Sequence, residues 1–212
     1  MNSQRKPPAA YLVLAVLALP AVPTRAEQVR NHFDSDAIMR VPGFFDLVEL
    51  GPPARTRWLI LTDPNPPSAP YRLSQTETQR PADSIAAALR RGVTLQDGSA
   101  STFVKQGPSR AGLLLRMADE KNFLLLLVDT GSGDAVLSSY RDGQPSELGR
   151  GHGAFARGGE RIGVTLAGPA VAVSGGGQTL FAATDPGPVS GRIGVATAGP
   201  GEASFDEFLI EP

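Results

Sequence analysis

The chain has no cysteine among its 212 residues, which excludes disulfides, thiolate zinc sites, cysteine nucleophiles and lipoprotein acylation. Only two histidines are present, so zinc or Ser-His-Asp chemistry has little to draw on. His32 and His152 stand too far apart in sequence to argue a metal or triad pairing. Charged residues make up 19% and the formal net charge is -1, with no Lys/Arg stripe. The electrostatic footprint of a nucleic-acid binder is therefore missing. Aromatic residues are 6%. No Gly-x-Gly-x-x-Gly opens a helix and no Walker-type lysine follows a glycine run, so a nucleotide site has no support. A sustained 3.6-residue apolar period is also lacking.

What the chain does have is 24 Gly and 19 Pro, with a hydrophobic share of 41%. That composition fits a single sheet-rich domain rather than a coiled coil or a charge-rich disordered chain. Residues 1–26 read as a signal peptide: Arg5 and Lys6 precede the apolar run Tyr11 to Leu19, and Pro20, Pro23 and Ala26 follow. The run is about half of the ~20 residues that a membrane span needs. We therefore expect an exported protein, periplasmic or secreted, with a mature domain at 27–212 and no transmembrane anchor in it. Cleavage after Ala26 would leave 17 basic against 21 acidic residues.

Along the mature part, short apolar runs alternate with Gly, Pro, Asn and Asp, which are strand and turn signals. The expected strands are 58–62, 71–75, 101–105, 111–117, 123–129, 135–141, 161–168, 170–175, 179–183, 191–198 and 203–211. Ala118 to Asn122, Asp142-Gly143 and Gly175-Gly176-Gly177 supply hairpin turns. In RIGVTLAG, Ile162, Val164 and Leu166 fall on one face and Arg161, Gly163 and Thr165 on the other. FLLLLV has no alternation and is placed centrally, covered on both faces. ADSIAAALRRG at 82–92 reads as a short helix or an irregular strand. Residues 27–57 and 63–70 read as surface wraps held by anchors such as Phe33, Phe44, Phe45 and Trp58.

The ordered blocks FDSDAIMRVPGFF, WLILTDPNPPSAPYRLSQ, SRAGLLLRMADEKNFLLLLVD, VLSSYRDGQPSEL, TLFAATD and GRIGVATAGPGEASFDEFLIE resemble those of secreted bacterial concanavalin A-like (laminin-G-like) jelly-roll proteins, a group of lectins and glucanases. The resemblance covers most of residues 32–212. It implies an all-β fold, a two-sheet antiparallel jelly-roll sandwich, and implies no particular activity, because this fold carries lectins, glycosidases and noncatalytic modules alike. The Glu-x-Asp-x-x-Glu signature of family 16 glycoside hydrolases is absent from the sequence.

Three function classes stay open: a noncatalytic carbohydrate-binding or cell-envelope interaction module, a glycoside hydrolase, and a structural or assembly protein. Glycosidases need two carboxyls about 5 to 9.5 Å apart. No acidic i, i+2 pair occupies an inner strand, so a hydrolase would assemble its acids from separate strands. A sugar site combines an aromatic platform with planar polar side chains. Tyr140, Arg141 and Asp142 at a hairpin end, with Gln144 and Asn122 on neighbouring turns, form the candidate ligand-binding cluster, against the plainer reading that Tyr140 packs on the core rim. A structural calcium, the one cofactor the sequence offers, would draw on Asp34, Asp36 and Asp206 if the jelly roll brought its ends together, against ordinary surface acids.

Overall fold

A computed structural model describes residues 27–65, 67–105, 107, 110–155, 158–187 and 189–212. The expected leader, residues 1–26, lies outside the described residues. Fifteen strands are formed among the described residues: β1 (Val29–Asn31), β2 (Phe45–Leu50), β3 (Trp58–Thr62), β4 (Tyr71–Gln75), β5 (Ile85–Leu95), β6 (Gly98–Lys105), β7 (Arg110–Asp119), β8 (Asn122–Asp129), β9 (Asp134–Arg141), β10 (Gln144–His152), β11 (Glu160–Ala167), β12 (Ala170–Gly175), β13 (Gln178–Thr184), β14 (Gly191–Ala198) and β15 (Ala203–Glu211). No helix occurs among the described residues.

The strands make two antiparallel sheets packed face to face. The eight-stranded sheet runs β13-β12-β11-β6-β15-β4-β3, with β1 also paired to β15, and the seven-stranded sheet runs β10-β9-β8-β7-β14-β5-β2. Period-2 alternation sends one side chain in two into the space between them. From the seven-stranded sheet come Leu113, Leu115, Leu124, Leu126, Leu137, Ile193 and Val195; from the other come Ile60, Leu73, Val104, Ile162, Val164, Leu166, Phe205 and Ile210. Trp58 is buried against Phe205, their rings 5.9 Å apart, and so belongs to the core. This is the two-sheet antiparallel sandwich that the resemblance implies.

The β8 run FLLLLV is covered on both faces except at Leu127, which is half-buried. Leu124 and Leu126 enter the core between the sheets, while Phe123 and Leu125 join a second apolar cluster with Leu114, Leu89, Ala87 and Ala196 on the outer face of the seven-stranded sheet. Two-residue hairpin turns follow where the sequence places them. Asp142 and Gly143 take φ of 50° and 80°, and Gly176 and Gly177 take 61° and 76°, the left-handed pair of a type I′ turn that matches strand twist.

One open alternative is settled and two further expectations are changed. Residues 82–92 resolve in favour of a strand, because the Ala86-Ala87-Ala88 backbone is paired on both sides, by β14 and by β2. Alanine favours helix intrinsically, but here its small side chain alternates between the core and the outer cluster, and tertiary pairing wins. Part of the expected N-terminal wrap is a sheet edge, β2. Finally, Phe33 and Phe45 are buried as anchors but Phe44 is turned out to solvent.

Candidate functional site

The outer face of the seven-stranded sheet carries a groove of about 560 Å³ that crosses six of its strands. Its floor is apolar, from Ile85, Leu125, Leu127, Val136 and Ala198, and its walls carry Asp83, Arg110, Asp129, Asp134, Glu147 and Arg150. Tyr140 stands at one end. On β9, Ala135 and Leu137 face the core, so Val136, Ser138 and Tyr140 face the groove. Tyr140 lies opposite Phe123 in the β8–β9 register and stacks on it, with centroids 4.3 Å apart and planes 14° from parallel. Its ring is fixed before any ligand arrives, and burial raises its phenol above the ordinary value. A smaller hollow of about 300 Å³ begins on the other side of Tyr140 and shares Asp83 and Ile85 with the groove.

The polar groups at the far end of the groove are held in place. Glu147 accepts from Arg150 Nε at 3.2 Å and Nη2 at 2.7 Å, a two-pronged pair that keeps its carboxyl below the usual range. Asp134 accepts from Ser132 Oγ at 3.0 Å and lies 3.3 Å from His152 Nδ1, and these contacts lower it too. Asp129 accepts from the Gly131 and Ser132 amides, which fixes the β8–β9 turn beside it. Carboxylates from separate strands therefore do converge, as an enzyme of this fold would need. However, Asp134 and Glu147 are both displaced toward the ionised form, whereas glycosidases hold one carboxyl protonated as a general acid. The carboxyls that burial pushes up, Asp36 and Asp206, do not line the groove.

Of the five residues expected to bind ligand, Tyr140 lies in the groove and the others serve other contacts or stand outside it. Arg141 alternates to the opposite face, where Nη2 donates to Asp185 Oδ1 at 2.7 Å and to the Gly187 carbonyl at 3.0 Å. Asn122 is tied into the hairpins: its Nδ2 donates to both Asp119 oxygens and its Oδ1 accepts from the Asp142 amide. Asp142 is a left-handed turn residue and Gln144 is exposed at the start of β10. His152, expected in a loop, closes β10.

The expected calcium ligands do not form a cage. Asp206 is buried with its oxygens accepting from Ser68 N, Ser68 Oγ and the Glu207 amide. Asp34 Oδ1 accepts from the Tyr71 amide at 3.2 Å, and Asp36 stands apart in a half-buried position. These protein donors take the oxygens a cation would need, and among the described residues no group of three or more His, Asp or Glu is placed to hold a metal ion.

The groove residues that sequence reasoning missed are Asp83, Arg110, Asp129, Asp134, Glu147 and Arg150. A partial signal was present. Asp129 and Asp134 bracket the β8–β9 turn in register, and every second residue back from Tyr140 on β9 shares its face.

No family model matches the chain, and no curated protein matches it in sequence. Solved structures do match. The carbohydrate-binding module CBM66 from Bacillus subtilis aligns with a TM-score of 0.57 at 13% identity, covering 74% of this chain and 94% of that one. A Bacillus subtilis protein of unknown function with a galectin-like fold aligns at 0.59 and 14%, covering 88% and 96%. A Bacillus licheniformis beta-glucanase aligns at 0.59 and 8%, covering 88% and 99%. At these identities the likeness shows the fold alone, a jelly-roll sandwich shared by binding modules and glucanases.

Proposed function

We propose that the protein binds a saccharide, without cleaving it, along the groove on the outer face of the seven-stranded sheet. One observation carries this reading: the Tyr140 ring, stacked on Phe123, ends a groove whose floor is apolar and whose walls carry ionised carboxylates and arginines. A pyranose offers an apolar face to a ring and hydroxyls to charged hydrogen-bond partners, so the two chemistries are complementary. The structural likeness to a carbohydrate-binding module and a galectin-like protein supports the reading. The same reading has the chain exported by residues 1–26, and N-terminal sequencing of the protein recovered from its cell is expected to begin at Glu27.

The test is thermal unfolding of the purified chain against a panel of oligosaccharides. A ligand of the native state raises the midpoint, by about 2.7 kcal/mol of stabilisation at one hundred times its dissociation constant. We expect a saccharide-specific rise that Tyr140→Ala abolishes, with the saccharide recovered intact. A panel that produces no rise overturns the binding reading, and release of new reducing ends moves it to the hydrolase.

A further inference from the structure

We propose that the flank of the sandwich at residues 38–47 is a docking surface for an anionic lipid bilayer. Of the large hydrophobic side chains exposed among the described residues, all but Val189 fall in this one segment: Ile38, Met39, Val41, Phe44 and Leu47, between 40% and 58% exposed. Exposed apolar groups concentrated in one place mark an interaction surface, whereas single scattered ones need no explanation.

The exposure is built into the fold. The Met39 amide donates to the Ile60 carbonyl at 2.8 Å and the Ile60 amide returns to the Arg40 carbonyl at 2.9 Å, so the segment is stitched to the edge of β3. Four residues on, the Arg91 amide donates to the Phe44 carbonyl at 2.9 Å, which ties it to the other sheet beside β2. Phe45 is then buried against Phe33 and Phe208, and its neighbour Phe44 has to point out.

Basic groups surround this apolar flank. Arg90 lies over the Phe44 ring, 4.9 Å from its centroid, and its side chain donates to Asn31 Oδ1 and to the carbonyls of Phe44 and Arg91. Arg30 and Arg40 are exposed, and none of these three arginines forms an ion pair with a described carboxylate. Of the acids nearby, Asp46 is held by both Arg91 and Arg192, each at 2.5 Å, while Asp34, which accepts from the Tyr71 amide, and the half-buried Asp36 share a hollow with Arg30 and Phe44. Apolar side chains flanked by uncompensated arginines suit the boundary between acyl chains and phosphate head groups. A second copy fits less well, because a two-fold contact through this flank would set Arg30, Arg40 and Arg90 against their own counterparts.

The absence of cysteine gives a direct test in the full chain. Met39→Cys takes a single polarity-sensitive fluorophore, and Ser146→Cys on β10, at the opposite edge of its sheet from β2, serves as control. With vesicles of phosphatidylcholine and phosphatidylglycerol, the Met39 label is expected to shift to the blue while the Ser146 label stays in water. Vesicles of phosphatidylcholine alone give a weaker response. Arg30→Glu with Arg40→Glu in the labelled chain weakens the vesicle affinity by roughly tenfold or more, as the loss of two surface basic contacts requires. No shift at Met39, an equal shift at Ser146, or a shift that survives both charge reversals overturns the proposal. So does a label already blue without vesicles, which would assign the flank to a second copy if concentration-dependent and to the chain's own N-terminal segment if not.

Discussion

Arg116 Nη1 donates to Asp185 Oδ2 at 2.9 Å, and neither side chain reaches solvent. The arginine sits in a bulge of β7, in the left-handed region at φ 49°, which breaks the alternation after Leu115. From there the guanidinium also donates to the carbonyls of Gln96 and Gly168, and Asp185 takes Arg141 on its other oxygen. One buried carboxylate thus gathers arginines from two strands and, through them, three loops.

Asp185→Ala leaves the buried Arg116 guanidinium with only the exposed Asp97 carboxylate, 3.6 Å from Nη2, as a counter-charge. The expected loss is about 3 to 5 kcal/mol, read from urea unfolding. Arg116→Met combined with Asp185→Leu removes both charges and is expected to lose less than the single change. A single-mutant loss below about 1 kcal/mol would show that water enters and screens the pair.

Acid stability is expected to turn on Asp63. Burial pushes its carboxyl up, but hydrogen bonds from Lys105, the Asn65 amide and Arg72 outweigh this and hold it below the ordinary value. A folded pKa below the unfolded one, about 3.9, stabilises the fold above that pH, and the contribution is lost as pH falls through the folded value. Asp63→Asn should therefore flatten the acid limb of stability against pH while lowering the neutral plateau. Asp206, raised by burial, carries the opposite sign: its contribution is full below about 3.9 and declines as pH rises through its folded value.

Gly194 and Gly112 are among the glycines where no Cβ fits. One added at Gly194 would stand 2.0 Å from the Ala88 carbonyl oxygen, and one at Gly112 would stand 2.0 Å from that of Leu126. Both clashes are with paired backbone in the middle of the seven-stranded sheet, which cannot move aside. Gly194→Ala is expected to cost about 3 kcal/mol or more, measured by denaturant midpoint. Gly43→Ala, with nothing within 4 Å, should stay within about 0.5 kcal/mol.

Arg80 is buried, and although Nη2 donates to Thr197 Oγ1 at 3.3 Å, its Nε and Nη1 have no hydrogen-bond partner. Arg80→Met removes those unsatisfied donors and is expected to leave stability unchanged or raise it by about 1 to 2 kcal/mol. A loss above about 2 kcal/mol would instead reveal an ordered water or ion completing the guanidinium.

The sequence readily yields the strands whose apolar residues alternate between clear turns. Those at 58–62, 71–75, 170–175, 191–198 and 203–211 coincide with β3, β4, β12, β14 and β15 to the residue. It conceals β10, because QPSELGRGH is polar, carries Pro145 and has two glycines. That strand exists through its neighbours: β9 supplies the hydrogen bonds, and the Phe181 ring of β13 packs over Gly149 and Gly151, where a side chain would collide with it. Tyr140 was legible as a candidate because its own strand and turn are local features. Its company in the groove was not, since Asp83, Arg110, Glu147 and Arg150 meet it only once the order of strands across the sheet is known. Arg141 shows the reverse error, a polar residue beside an aromatic one whose strand sends it to the other face.

The place of β15 has a consequence for how the chain is made. It is the last of the fifteen strands to leave the ribosome, yet it lies inside the eight-stranded sheet, between β6 on one side and β4 and β1 on the other. Until it emerges, those strands have no partner to join them, and the central core lacks Ala203, Phe205, Phe208 and Ile210. Closure of the sandwich must therefore wait until β15 has emerged, and a nascent chain halted before residue 203 is expected to remain open to proteases however many of its earlier hairpins have formed.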